Sequence, residues 1–208
     1  GYKVNVKRIR GLYKLMGLRT IYPKPKTTIR DKASYIHPYL LRGLKTERVN
    51  QVWKTDITYI PMQRGFMYMA AIIDVHSRKL LHWSISNTMT AEWCVELLND
   101  TIAIYGKPEI HNSDQGSQYT SDIYIKTLKN HEIKISMDGK GRALDNVHIE
   151  RFWRSLKQEK IYLNPASGGV ELHRNVKEYI QFYNTKRRHT EIGKVPPDEI
   201  FYQRKVAV

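Results

Sequence analysis

The sequence predicts a mixed α/β fold with one five-stranded sheet flanked by helices. Three segments rich in β-branched and aromatic residues follow one another with short turns between them, at 51–61, 66–74 and 79–86. Such an arrangement is typical of an antiparallel meander. Two helical patterns then alternate with two further short strands, and this order of elements indicates a mixed sheet.

The first predicted strand, QVWKTDITYIP, ends at Pro61, because proline has no N–H to continue a ladder. A turn containing Gly65 leads into the second strand, FMYMAAIID. His76 and Ser77 then turn the chain into the third strand, KLLHWSIS. These turns are short enough to keep consecutive strands adjacent in the sheet.

A helix is predicted to begin after Thr90, a good N-cap residue, and to run to about Tyr105. Ala91, Val95, Leu98 and Ile102 recur at helical spacing and form its predicted buried face. The remaining elements of the sheet region are a strand at 109–113, a helix at about 121–131 and a strand at 133–137.

The N-terminal region is strongly basic. Residues 4–17 have helical spacing and end at Gly17, and the Pro-containing stretch 19–49 is interpreted as an extended arm. Residues 1–47 contain 12 Lys/Arg and 2 acids, so they carry +10 of the formal net charge of +15. Basic flanks around a near-neutral core indicate a polyanionic partner such as nucleic acid.

The C-terminal part of the chain is predicted to be helical. After a Gly-rich polar loop at 138–146, a long helix starts near Asn146, and further helices are expected at 170–184 and after Pro196. The chain is therefore divided into a basic helical segment and arm at 1–47, an α/β core at 48–162 and a C-terminal helical extension at 163–208.

The composition excludes several protein classes. Cys94 is the single cysteine, so an internal disulfide framework and a Cys-rich zinc site are both excluded. The chain has no run of 18 apolar residues, so neither a membrane span nor a membrane partner is expected.

Three carboxylates on separate elements indicate a metal site. Asp56 lies in the middle of a strand, where Asp is depleted, Asp114 directly follows a short strand, and Glu150 lies one turn into a helix. If these groups meet in one cleft they repel one another, and divalent cations relieve that repulsion. Two such ions can activate an attacking oxygen and stabilise the leaving oxygen of a phosphodiester.

Structural roles stay open for each acid taken alone. Asp114 can cap the turn that follows it, Glu150 can complement the helix dipole, and Asp56 can form an ion pair. Asp74, which ends a strand before a hairpin turn, is expected to have a structural role.

Several motifs in order resemble the retroviral-integrase-type (DDE) catalytic core of the IS-three family of insertion-sequence transposases. The 35 residues between Asp114 and Glu150, and a basic residue seven positions after Glu150, agree with the family pattern. The matching motifs are WKTDITYIP, DVHSRKLLHW, NSDQGSQYTS, ALDNVHIERFWRSLK and YIQFYNTKRRHTEIGKVPPDEI.

The resemblance implies an RNase H-like fold in which Asp56, Asp114 and Glu150 hold two Mg²⁺ or Mn²⁺ ions per active site. It implies cleavage of DNA at element ends and transfer of the 3′-hydroxyl into target DNA, without a covalent protein–DNA intermediate. A homodimer or higher assembly on DNA is expected, in the prokaryotic cytoplasm and associated with the nucleoid. The alternatives are an RNase H-type nuclease that only hydrolyses and a non-catalytic DNA-binding assembly protein.

The basic residues expected to contact DNA lie in three groups. Arg154 and Lys157 share a helix face with Glu150, because side chains four and seven residues apart project from the same side. The opposite stripe, formed by Ile149, Phe152 and Leu156, is expected to pack on the sheet, and Trp153 borders this stripe. The full set of predicted DNA-binding residues is Lys7, Arg8, Arg10, Lys14, Arg154, Lys157, Lys186, Arg187 and Arg188.

Overall fold

The computed structural model describes residues 3–18, 37–139 and 147–203. The chain forms two compact units, 1–33 and 34–208, and each is described by itself. The predicted divisions after residues 47 and 162 stay predictions.

The first unit contains helix α1, Val6–Leu15. Asn5 caps it, because its side-chain oxygen accepts a hydrogen bond of 2.9 Å from the N–H of Lys7. Gly17 ends the helical turn with φ +65°, a conformation that glycine adopts without strain. The predicted helix at 4–17 is therefore confirmed, two residues shorter at each end. Residues 19–36 of the predicted arm lie outside the described residues.

The second unit is built on a five-stranded sheet with strand order β3-β2-β1-β4-β5. Neighbouring strands among β1, β2 and β3 are antiparallel, whereas β4 runs parallel to β1 and β5 runs parallel to β4. This mixed sheet confirms the predicted fold class. The strands are β1 Val52–Pro61, β2 Phe66–Asp74, β3 Leu80–Ser86, β4 Ile110–Ser113 and β5 Lys134–Met137.

Helices cover both faces of the sheet. They are α2 Ala91–Tyr105, α3 Asp122–Asn130, α4 Val147–Leu156, α5 Gly169–Thr185 and α6 Pro197–Phe201. A π-helical segment, Lys157–Ile161, directly continues α4. The predicted start of α4 near Asn146 falls on residues outside the described part. Within the described residues, no helix has the length and apolarity needed to cross a membrane.

Two apolar cores lie on opposite faces of the sheet. Alternate residues of a strand point to opposite sides, so Ala71 and Ile73 of β2 belong to one core and Ala70 and Ile72 to the other. The first core contains buried residues of α4 and α5, and the second contains buried residues of α2 and α3. Helix α4 is therefore fixed against the sheet by apolar burial, which is the main favourable term in folding.

The predicted buried face of α2 was wrong in part. Its buried residues are Trp93, Cys94, Leu97, Leu98 and Thr101, so only Leu98 of the predicted stripe is fully buried. The indole N–H of Trp93 donates a 2.8 Å hydrogen bond to the hydroxyl of Ser84 on β3. Apolar residues occur on more than one side of α2, so spacing alone did not decide which side packs on the sheet.

The C-terminal helices are tied to the sheet by buried polar contacts. The side chain of Asn184 in α5 accepts a 3.0 Å bond from the Leu80 N–H and donates a 2.9 Å bond to the Leu80 carbonyl. Lys79, which is buried, forms an ion pair with Asp198 of α6. The ammonium of Lys79 also lies 5.5 Å from the ring centre of Phe201.

Asp74 has the structural role that its position predicts. It is fully buried at the end of β2, and its carboxylate accepts bonds of 2.8 Å from the Asn50 N–H and 2.7 Å from both the N–H and the hydroxyl of Ser77. These donors fix the turn between β2 and β3.

We expect Asp74→Asn to lower the free energy of unfolding by about 1–3 kcal/mol. The reason is that an amide NH₂ in place of one carboxylate oxygen faces a backbone N–H and leaves both donors unsatisfied. Chemical denaturation measures the change. Asp122→Asn, at an exposed position of α3, is the control and should be near neutral. Equal stability of the two variants would contradict a structural role for Asp74.

Candidate active site

Asp56 lies on β1 and is the least exposed of the three candidate acids. The indole N–H of Trp153 donates a 2.9 Å hydrogen bond to its Oδ2. Burial raises the pKa of Asp56 to about 6, the Trp153 hydrogen bond opposes this rise, and the negative charges of Asp114 and Glu150 add to it. Asp114 and Glu150 are therefore close enough to Asp56 for their charges to act on its carboxylate.

The register of the parallel strands β1 and β4 explains why Asp56 and Asp114 are neighbours. Val52 pairs with Ile110 and Lys54 with Asn112. Continuing the same register by two residues brings Asp114, which directly follows β4, level with Asp56. Paired residues of neighbouring strands lie on the same face of the sheet, and residues two apart along a strand return to that face. Asp56 and Asp114 in this register therefore point to the same face.

The turn after Asp114 is shaped around its carboxylate. The N–H of Gly116 donates a 2.8 Å hydrogen bond to Asp114 Oδ1. A Cβ at position 116 would lie only 2.9 Å from that oxygen, so a larger residue would displace the carboxylate. Asp114 itself is exposed.

Glu150 is exposed on α4 and lies one helical turn before Trp153. The predicted apolar stripe of this helix is confirmed, because Ile149, Phe152 and Leu156 are each buried to 99% or more. Trp153, which was expected only to border the stripe, is also buried, with 5% of its surface exposed. Its role toward Asp56 was missed, although its position three residues after Glu150 was a signal for it.

The donor atoms suit a hard divalent cation. Within the described residues Asp56 forms no ion pair, so the alternative of a salt-bridged Asp56 finds no support there. Burial, and to a smaller extent the charges of Asp114 and Glu150, disfavour the charged form of Asp56, and a bound divalent cation would favour it. The three carboxylates have suitable chemistry but do not form a closed cluster, since in residues 3–18, 37–139 and 147–203 no group of three or more His, Cys, Asp or Glu side chains is arranged to hold a metal ion.

The two basic residues expected beside Glu150 lie in different environments. Arg154 is exposed. Lys157 belongs to the π-helical segment, and its ammonium donates a 2.7 Å hydrogen bond to the Thr58 hydroxyl on β1. Burial lowers the pKa of Lys157, and the negative charge of Asp56 opposes this. Lys157 therefore faces the sheet near the acids.

The basic cluster after α5 is partly engaged in structural contacts. Arg187 forms an ion pair of 2.6 Å with Glu159 and a 3.3 Å hydrogen bond to the Ser155 hydroxyl. Arg188 lines a cavity together with Arg154. The predicted basic residues of α1 belong to the other compact unit, within which they are all exposed.

Comparison with known proteins gives one consistent family. Two protein-family models, both described as an integrase core domain, match residues 46–143 and 131–197. The transposase for insertion sequence element IS904 of Lactococcus lactis is 36% identical over 96% of this chain and 81% of its own length. Transposase InsF for insertion sequence IS3A of Escherichia coli is 32% identical, over 96% of this chain and 71% of its own length.

Solved structures with the same fold include retroviral integrases. The integrase in a simian T-cell lymphotropic virus intasome has a TM-score of 0.65 and 15% identity, over 88% of this chain and 63% of that chain. The HTLV-2 integrase catalytic core domain, in complex with magnesium, has a TM-score of 0.60 and 16% identity, over 74% of this chain and 97% of that chain. At such identities the likeness shows the fold, which is RNase H-like.

The order of strands, the motif spacing and the extent of the sequence matches agree with the resemblance inferred from the motifs. Relatives over 30% identical across more than two thirds of their length carry the name transposase. The chain therefore belongs to the IS3 family of insertion-sequence transposases, DNA-transposing enzymes with an integrase core domain.

Proposed function

We propose that this transposase cleaves DNA at element ends and joins the resulting 3′-hydroxyl to target DNA, with divalent metal ions held by Asp56, Asp114 and Glu150. The observation that carries the proposal is the influence of the Asp114 and Glu150 charges on Asp56, together with the strand register that, continued by two residues, aligns Asp114 with Asp56. Magnesium in the related HTLV-2 integrase core supports Mg²⁺, or the similar Mn²⁺, as the cofactor. Two ions per active site belong to the proposal.

The bound ions would supply Lewis-acid stabilisation of the charge that develops on the attacking and leaving oxygens. The protein's own residues hold and orient the ligands. Trp153 fixes the rotamer of Asp56 by its N–H, and Gly116 orients the carboxylate of Asp114. Glu150 is exposed, so its side chain can change rotamer without repacking the core.

Both proposed steps exchange one phosphorus–oxygen bond for another. In the first, water attacks the backbone phosphorus at the element end and the 3′-oxygen leaves as a hydroxyl. In the second, that hydroxyl attacks a phosphodiester of the target and a second 3′-hydroxyl is released. Neither step needs a protein nucleophile, so the proposed mechanism has no covalent protein–DNA intermediate.

DNA is the proposed partner in both steps. Arg154, Lys157 and the Lys186–Arg188 cluster are proposed to contact it, along with the basic residues of α1. A homodimer or higher assembly on DNA is supported by the dimeric form of the related HTLV-2 integrase core. The bacterial relatives and the DNA substrate support a place at the nucleoid in the prokaryotic cytoplasm.

A strand-transfer assay tests the proposal. A duplex that represents the element end, already cut to expose its 3′-hydroxyl, is incubated with the protein, supercoiled plasmid and Mg²⁺. Joined products are expected with Mg²⁺ and none with EDTA. Nicked plasmid without joined products would instead favour a nuclease that only hydrolyses. DNA binding without any cut product would favour a non-catalytic assembly protein.

The basic residues of α1 are expected to contribute to DNA binding by charge. Replacing Lys7, Arg8, Arg10 and Lys14 together by Gln should lower the slope of log affinity against log salt, by about 0.9 for each phosphate that is no longer neutralised. Fluorescence anisotropy with a labelled duplex measures the slope. An unchanged slope, at unchanged helix content by circular dichroism, would show that α1 has another role.

A further inference from the structure

A cavity of about 540 Å³ lies between α4 and the segment that follows α5. Its lining is dominated by guanidinium groups, and Glu191 is the only acid among the lining residues. The three candidate metal ligands do not line it. The five arginines are Arg78, Arg151, Arg154, Arg187 and Arg188.

Arg78 is the buried centre of this cavity. Its side chain is 18% exposed, and its Nη2 lies 3.3 Å from Glu191 Oε2. Its Nε and Nη1 are buried and have no hydrogen-bond partner among the described residues. An unsatisfied buried donor is costly, and a guanidinium has a planar fork of donors that matches an oxyanion. The geometry therefore calls for an acceptor inside the cavity.

The charge balance of the cavity favours an anion. Arg151 forms an ion pair with Glu191, so one carboxylate is shared between Arg78 and Arg151. Burial and the neighbouring Arg187 lower the pKa of His189 to about 4, so this histidine is neutral near pH 7. Arg187 is already paired with Glu159, so four arginines share the single carboxylate of Glu191. These four positive charges repel one another, and a bound anion relieves the repulsion.

The position of the cavity on α4 suggests the source of the anion. Arg151 directly follows Glu150, and Arg154 lies one helical turn further on. The cavity and the third candidate metal ligand therefore occupy neighbouring faces of the same helix. DNA that reaches Glu150 passes beside this cavity, with its phosphates as the nearest anions.

We propose that this cavity, the Arg78 cavity, binds a phosphodiester of the DNA backbone at a site separate from the three acids. The inference rests on the proposed function only in taking DNA as the ligand. Arg78 and Arg151 hold the phosphate oxygens, which replace the carboxylate of Glu191 as the acceptor. The site fixes the path of the DNA next to the reacting phosphodiester and carries no chemistry itself.

Salt-dependent DNA binding in EDTA tests the inference, because it requires neither metal nor strand cleavage. The probe is a fluorescein-labelled duplex of arbitrary sequence, titrated between about 50 and 200 mM salt. Arg151→Gln and Arg78→Gln are each expected to lower the slope of log affinity against log salt by about 0.9, the effect of one neutralised phosphate. Lys107→Gln, on the loop after α2, removes an equal exposed charge and should keep the parent slope.

Glu191→Gln gives a result of opposite sign. It removes the competing carboxylate, so DNA binding should become several-fold tighter at constant salt. If Glu191 only crosslinks the fold, this variant will bind DNA no better than the parent, and the inference fails. A folded Arg151→Gln variant that keeps the parent's slope of log affinity against log salt would also overturn the inference. Arg151 has 58% of its side chain exposed, so this variant keeps the test decisive if Arg78→Gln does not fold.

The two proposals fail in different ways. Failure of the Arg78 cavity proposal would show as an unchanged salt slope in EDTA, whatever the outcome of the strand-transfer assay. A wrong assignment of the metal ligands would show as retained strand transfer in the carboxylate variants, whatever the salt slope.

Discussion

Replacement of Asp56, Asp114 or Glu150 by its uncharged amide is expected to reduce strand cleavage and strand transfer by about 10²–10³-fold or more. Loss of a single preorganised group that stabilises transition-state charge already has an effect of that size. Each of these substitutions removes a charged oxygen ligand from the proposed metal site. The measurement is product formation in Mg²⁺ from a pre-cleaved end and from an uncut end.

Asp122→Asn is the matched control for chemistry. Asp122 is an exposed first-turn acid of α3, on the face of the sheet opposite α4, and its substitution should leave both reactions unchanged. Melting temperatures of all four variants separate a defect in catalysis from a defect in folding. Magnesium-dependent cleavage at the parent rate by any of the three acid variants would remove that residue from the proposed site.

Much of the fold was predictable because the strands of the sheet carry strong local signals. The segments at 51–61 and 66–74 combine β-branched residues with short turns, and the observed strands differ from them by one residue at most. The strand order required more than local signals. A helix between β3 and β4 carries the chain across the sheet, so that β4 pairs with β1 rather than with β3.

The acids were found from their places on two predicted strands and a helix, but the alignment of Asp56 with Asp114 was not predicted. Asp114 lies beyond the last residue of β4, and only the observed register with β1 brings it level with Asp56. Their places in the sequence could therefore suggest one cleft without fixing which atoms face each other. The electrostatic influence of Asp114 on Asp56 adds what the sequence lacked.

Trp153 and Lys157 show where helical periodicity stops being informative. Trp153 borders the apolar stripe of α4, yet it is buried, and its N–H has Asp56 as its acceptor. Lys157 was placed with Glu150 on an ideal helical face, yet the helix changes to π geometry at this residue. Its ammonium consequently reaches Thr58 on the sheet, a contact that no repeat in the sequence indicates.

In EDTA, Asp56→Asn is expected to stabilise the protein above pH 6. The folded pKa of Asp56 is about 6, above its ordinary value of 3.8, so the folded state holds a proton that the unfolded chain has already released. A raised carboxyl pKa means that stability falls as pH rises from about 4 to 6, and the whole penalty is present above pH 6. The shift from 3.8 to about 6 corresponds to a stability penalty of about 3 kcal/mol. Asn removes the penalty and can still accept the Trp153 hydrogen bond.

Urea unfolding of the parent and of Asp56→Asn at pH 4 and at pH 8 measures this difference. The two proteins should be similar at pH 4, where Asp56 is largely protonated when folded, and the variant should be more stable at pH 8. Added Mg²⁺ should then stabilise the parent at pH 8 and have little effect on the variant, because a ligand stabilises only the state that binds it. A parent that is as stable as the variant at pH 8 in EDTA would contradict the raised pKa. An equal response of both proteins to Mg²⁺ would instead show that Asp56 is not a metal ligand, so the two conclusions are tested separately.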